Sequence, residues 1–89
     1  MLGKPLVLSK HAQDMMVERE IPQEWIEHVL QNRIFEEPDR QTPGAIRAYA
    51  PIAAFGNRVL RVVYIETGLA IRVITLFFDR RATIRMRAQ

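Results

Sequence analysis

Between residues 45 and 78 the chain consists of three apolar segments, 45–55, 58–66 and 69–78, separated only by Gly56-Asn57 and Thr67-Gly68. Separators this short are tight-turn signals, and strands joined by them run antiparallel. Parallel neighbours would need a crossover connection of a dozen or more residues, for which this stretch has no room. A meander of three strands is therefore expected here. Pro51 has no N–H to give to a ladder, so the first strand is expected at an edge or bulged.

In the second segment Val59, Val63 and Ile65 alternate with Leu60, Val62 and Tyr64; in the third, Ile71, Val73 and Phe77 oppose Ile74 and Leu76. Apolar residues on both faces mark central strands covered on both sides.

The first half reads as helical. Ser9 is a good N-cap for a helix over about 10–20, with an apolar stripe of Ala12, Met15 and Met16. Ile21-Pro22 ends it, because the residue before proline avoids the helical region. A second helix over about 22–32 puts Trp25, Ile26, Val29 and Leu30 on one face and Gln23, Glu24, Glu27, His28 and Gln31 on the other. The segment 36–44 is a polar loop bracketed by Pro38 and Pro43. The expected fold is α+β: two N-terminal helices packed on a three- to four-stranded antiparallel sheet, with a short basic C-terminal tail. The 89 residues form a single domain, 1–89, with one modest core. The helices can cover one face of the sheet. The other is left for the tail, a second copy or a partner.

Charge is unevenly divided. Residues 1–39 carry four cations against eight acids, and residues 40–89 carry nine arginines against two acids, so a net charge of +3 hides an acidic half and a basic half. Arginine's planar fork matches phosphate and carboxylate bidentately, which points to a polyanion or an acidic protein surface as partner. The alternative is that these arginines pair with the acids of the first half inside the monomer. Without cysteine, thiolate catalysis and disulfide frameworks are excluded. The longest uncharged run, 48–57, is too short to span a bilayer and no secretory signal is visible, so a cytoplasmic protein without membrane attachment is expected.

His11 lies in the first turn of helix one, off the centre of the apolar stripe, with Asp14 and Glu18 on the same side to hold its ring. It suits proton transfer or a structural cap. His28 sits on a solvated helix face, and a metal site shared by the two histidines would need the helices to face each other through their polar sides. Arg61 and Arg72 fall inside apolar strands and need a surface outlet or an anion. Arg47, Arg80, Arg81 and Arg85 flank the sheet, with Tyr49 and Tyr64 among them for stacking on a base or donating to a phosphate.

The segment Leu8-Ser9-Lys10-His11-Ala12, followed by 16–21 and then by Ile26 and Leu30, resembles the bacterial family known as domain of unknown function 4258. Its members open with a Ser-x-His-Ala helix start, an Arg-Gly-Ile step and a second amphipathic helix. Hydrophobic strands follow, here matched by Arg61-Val62-Val63-Tyr64 and Arg72-Val73-Ile74-Thr75, so the likeness spans about residues 6–78. One departure is Glu20, where the family usually has glycine. The region from Ile71 to Arg85 is also similar to BrnT-type toxins of the wider RelE-like group, small ribonucleases held inactive by an antitoxin; the glutamate and tyrosine expected near the end of that motif are absent.

The resemblance implies a helical pair on a small sheet whose concave face holds RNA. A metal-independent endoribonuclease on this scaffold needs a base, an acid and cations for the phosphorane charge. His11 is the implied acid/base, with Tyr64 as a second and Arg81 as a phosphate-stabilising catalytic group. Arg47, Arg61, Arg72, Arg80 and Arg85 are the implied nucleic-acid-binding residues. No cofactor or metal is expected. RNA or the ribosome, an acidic antitoxin and a homodimer mate are the expected partners. The competing expectation is a non-enzymatic interaction module using the basic face or a sheet edge.

Overall fold

In the computed structural model, which describes residues 3–88, the elements are β1 (Leu6–Leu8), α1 (Lys10–Glu18), α2 (Gln23–Gln31), β2 (Phe35–Pro38), β3 (Ile46–Ile52), a 3-10 turn (Ala53–Phe55), β4 (Arg58–Glu66), β5 (Ile71–Phe78) and α3 (Arg80–Arg87). Met1, Leu2 and Gln89 lie outside the described residues. The fold is α+β as expected, but the sheet has five strands in the order β1-β5-β4-β3-β2 and is mixed, since β1 runs parallel to β5. The two extra strands are edges of three and four residues. At that length neither shows an alternating pattern; β2 instead lies in the segment that reads as polar loop, held by the pairs Phe35↔Tyr49 and Glu37↔Arg47. The basic tail is also ordered, as α3, capped by the Asp79 carboxylate accepting from Ala82 N–H at 2.9 Å. Among the described residues no helix is long and apolar enough to cross a membrane.

The core forms between α1 and α2 on one side and the sheet on the other. Ala12, Ile26, Val29 and Leu30 of the helices meet Ala48, Ala50 and Ile52 of β3, Leu60, Val62 and Tyr64 of β4, and Ile71, Val73 and Leu76 of β5. In β3 and β4 the even-numbered residues therefore face the helices. In β5 the parity changes at Ile74, which is bulged: Val63 pairs with Thr75 and Tyr64 with Val73. The bulge lets residues on both sides of it reach the same core.

Pro51 fits a non-hydrogen-bonded position. Its register partner Val59 turns its backbone the other way, accepting from Asp79 N–H at 2.9 Å and donating to Thr83 Oγ1 at 2.9 Å. The missing N–H thus faces the side where β2 has already ended, opposite Tyr49, so β3 is locally an edge at Pro51. Thr83 is buried and also donates to Asp79 O at 2.8 Å, which clamps α3 onto the start of β4.

Left-handed backbone occurs where the turns require it. Gly56 and Asn57, at φ 66° and 59°, close the turn into β4. Glu20, at φ 54°, reverses the chain between α1 and α2.

Candidate functional site

The odd-numbered residues of β3 and β4 face away from the helices, and they meet β5 in two cross-strand rows. Arg47, Val63 and Thr75 form one row, and Tyr49, Arg61 and Phe77 form the next. A cleft over these rows is lined by Arg47, Arg61, Thr75 and Phe77, by the loop residues Asp39 and Thr42 on one side, and by His11 on the other.

His11 reaches this face through Ser9. The Ser9 hydroxyl accepts from Ala12 N–H at 3.0 Å as the helix cap and donates to Ile74 O at 2.7 Å, while Ser9 N–H donates to Val73 O at 3.0 Å. The start of α1 is thus pinned to the β5 bulge. Two residues on, the exposed His11 stands at the lip of the cleft.

The two cleft arginines are held by carboxylates. Arg47 Nε donates to Asp39 Oδ1 at 2.7 Å, with Glu37 Oε2 3.6 Å from Nη1. Asp39 also accepts from the backbone N–H groups of Thr42 at 2.9 Å and Gln41 at 3.2 Å, and its side chain is only 9% exposed. The bond from Arg47 holds the Asp39 carboxyl below its ordinary pKa, with the two N–H groups adding to this against the opposing cost of burial. Arg47 is raised in turn, first by Asp39.

Arg61 stacks over Phe77 at 4.0 Å, donates to the Tyr49 hydroxyl at 3.3 Å and lies 3.6 Å from Asp79. Its Nε is buried without a hydrogen-bond partner. A buried N–H without an acceptor costs about 1–3 kcal/mol, and an anion reaching it would supply one. Tyr49 is buried and donates to Glu37 at 2.7 Å; burial, then that carboxylate, pushes its hydroxyl above the ordinary tyrosine value.

The structure thus brings His11, Arg47 and Arg61 together and separates the other expected residues from them. Tyr64 is buried on the helix-covered face, where the Arg33 guanidinium stacks on its ring and donates to its hydroxyl. Arg72 faces the open side by register but lies outside the cleft lining, exposed and without an ion pair among the described residues. Arg80 and Arg81 are exposed at the start of α3, and Arg85 lies over the Phe35 ring at 5.4 Å, in a separate groove between β2 and α3. Pairing with acids of the first half accounts for Arg47 alone; Arg61 pairs with Asp79 of its own half, and the other seven arginines of the second half form no ion pair among the described residues. Three contributors to the cleft carry no clear signal in the sequence. Asp39 and Glu37 read as loop charges because β2 has no pattern of its own, and Thr75 gains its place only through the bulge. Among the described residues no group of three or more His, Asp and Glu side chains is placed to hold a metal ion.

The family model described as Domain of unknown function (DUF4258) matches residues 8–78. This chain belongs to that family. Every residue lining the cleft, from His11 to Phe77, lies inside the matched segment of this DUF4258 chain, whereas α3 and most of β1 lie outside it. Neither curated proteins nor solved structures give a match.

Proposed function

We propose that this DUF4258 chain binds RNA across the open face of its sheet and cleaves it as a RelE- or BrnT-like toxin does. The observation that carries the reading is the convergence of His11, from the opposite side of the sheet edge, on the cleft that holds Arg47, Arg61 and Thr75. In this reaction His11 takes the proton of a ribose 2′-hydroxyl, and that oxygen attacks the adjacent phosphorus. The 5′-oxygen leaves with a proton from solvent, giving a 2′,3′-cyclic phosphate and a 5′-hydroxyl end. Arg47 and Arg61 face the extra charge of the phosphorane, and their carboxylate partners fix them before substrate arrives. Tyr64 and Arg81 take no part in this mechanism.

Regulated expression in a bacterial host tests it. Wild-type protein should arrest growth and produce RNA fragments with 2′,3′-cyclic phosphate ends. His11→Ala should lower cleavage by about 10²–10⁴-fold, the usual worth of a positioned base, and should relieve the arrest. Wild-type protein that neither arrests growth nor binds RNA at low salt would sink the idea.

A second reading rests on the groove beside the β2 edge, lined by Ile34, Phe35, Tyr49, Val59, Ala82 and Met86. Ile34 and Phe35 are exposed there, and β2 is an edge strand with an unpaired side. As an interaction module the protein would take an acidic antitoxin or a second copy at this edge. A stable dimer or complex on a sizing column, with no cleavage by wild-type protein, would favour it over the first.

A further inference from the structure

At the end of the sheet where β4 begins and β5 stops, a second groove is walled by Arg19, Arg58, Arg80 and Arg87 over a floor that includes Phe78 and Ile84. No aspartate or glutamate is among its lining residues. All four arginines are exposed, and none forms an ion pair among the described residues. This is the reverse of the cleft, where each arginine has a carboxylate.

Two of the four are nevertheless fixed by interactions that leave their charge uncompensated. The Arg58 guanidinium lies over the Phe55 ring at 4.9 Å, and Arg87 Nη2 donates to Gly56 O at 3.0 Å. The nearest acid along the chain to Arg80 is Asp79, which is already committed to the α3 cap and to Arg61. Four like charges around one concavity repel each other. Where the fold supplies no counter-charge, such a cluster is the electrostatic footprint of a polyanion.

We infer that this groove binds the phosphodiester backbone of single-stranded RNA, as an anchoring site separate from the cleavage cleft. The inference rests on the RNA reading of the cleft. Thr75 of the cleft and Phe78 of the groove are three residues apart along β5, roughly 10 Å at 3.3 Å per residue. A single strand engaged at the cleft therefore meets the groove by passing over the end of β5. A continuous polyanion gains from both sites at once, whereas a short acidic peptide filling the groove gains nothing from the cleft. Phosphate binding of this kind positions the strand without reading its sequence. Arg80 and Arg87 lie beyond the segment matched by the family model, so the anchor is built partly from residues outside that segment.

The test uses the full chain and a fluorescent 2′-O-methyl oligouridylate of about 12 nucleotides, within the span that single-strand sites cover. The methyl group removes the attacking hydroxyl, so binding is measured without turnover. Affinity is followed by anisotropy as KCl is raised. The double variant Arg19→Gln/Arg80→Gln should reduce the log–log salt slope by about 1.4, because each phosphate of a single strand that an arginine neutralises adds about 0.7 to that slope. Lys4→Gln/Lys10→Gln, which removes the same charge elsewhere on the surface, should leave the slope near that of wild type. Equal slopes for the two double variants overturn the groove, as does displacement of the RNA by polyglutamate at matched charge, which would mark an acidic protein surface instead. No binding by wild-type protein overturns groove and cleft together. Binding that responds to Arg19→Gln/Arg80→Gln but not to Arg47→Gln/Arg61→Gln supports the groove and removes the cleft reading alone.

Discussion

On the face of the sheet turned towards α1 and α2, the buried positions contributed by β3, β4 and β5 are apolar or aromatic, whereas alternate residues of the same strands give the opposite face Arg47, Tyr49, Arg61 and Thr75. Period-two alternation sends neighbouring residues to opposite environments, so stability and a candidate chemistry are written into one stretch of chain. The faces also differ in how they meet the cost of burial. The helix side removes apolar surface from water, worth roughly 1.5–3 kcal/mol for each large side chain fully buried. The open side keeps partly buried guanidinium groups in place with the carboxylates of Glu37, Asp39 and Asp79 and with aromatic faces. Without those acids the open face would be a cluster of repelling charges, as the groove at the end of the sheet is.

The comparison breaks first on the apolar side. Leu76 is fully buried, and Leu76→Ala should destabilise the fold by about 2–5 kcal/mol, the transfer loss plus the cavity left behind. A urea melt shifted by less than about 1 kcal/mol would mean that this face is not close-packed, since even small core truncations cost that much.

On the open face the largest single effect belongs to Asp39. Asp39→Ala should cost about 1.5–3 kcal/mol, because it leaves Arg47 without its closest acceptor and two backbone N–H groups uncapped. Asp39→Asn keeps an acceptor for the N–H groups and should cost less; an equal loss would place the whole effect in the ion pair rather than in the turn. The pH dependence has a definite sign. A carboxyl held below its ordinary value contributes stability that is fully present above 3.8 and is lost as pH falls through the folded-state value. Asp39→Asn should therefore flatten the acid limb of the stability curve below about pH 4, leaving the neutral plateau lower. An unchanged acid limb would remove Asp39 as its cause.

Where the faces meet at α3, Thr83→Val tests the clamp. The substitution keeps the volume but leaves Val59 N–H without its acceptor, so it should cost about 1–3 kcal/mol. A neutral result would show that solvent reaches Val59 N–H, and that α3 is not sealed against β4.

How much of this is legible in the sequence follows from pattern length. The strand bounds of β4 are readable to the residue because nine alternating positions lie between two turn signals. The edge strands are not, since three residues of β1 and the Glu-Glu-Pro of β2 carry no period of their own and depend on partners supplied by the rest of the sheet. In the site, the residue types of His11, Arg47 and Arg61 mark them, but nothing local tells which face each strand residue takes when both faces are apolar. Tyr64 and Arg61 both read as open to a ligand, yet their odd spacing sends them to opposite sides. The bulge at Ile74, which sets both the parity of β5 and the seat of Ser9, has no sequence mark at all.

The smallest expected effect lies in the link that brings the covering helices together. Glu20 sits at φ 54° between α1 and α2, in a left-handed conformation that costs an L-residue with a Cβ about 1–2 kcal/mol. Its side chain is exposed and forms no ion pair among the described residues, so removing it costs the folded state little. Glycine adopts this conformation freely but widens the unfolded ensemble, which offsets part of the gain. Glu20→Gly should therefore stabilise the protein, by about 0.5–1 kcal/mol. Asn57 provides the control, because asparagine tolerates the same conformation better and Asn57→Gly should gain less. If Glu20→Gly lowers stability in a urea melt, the turn is held by the Glu20 side chain rather than strained by its backbone.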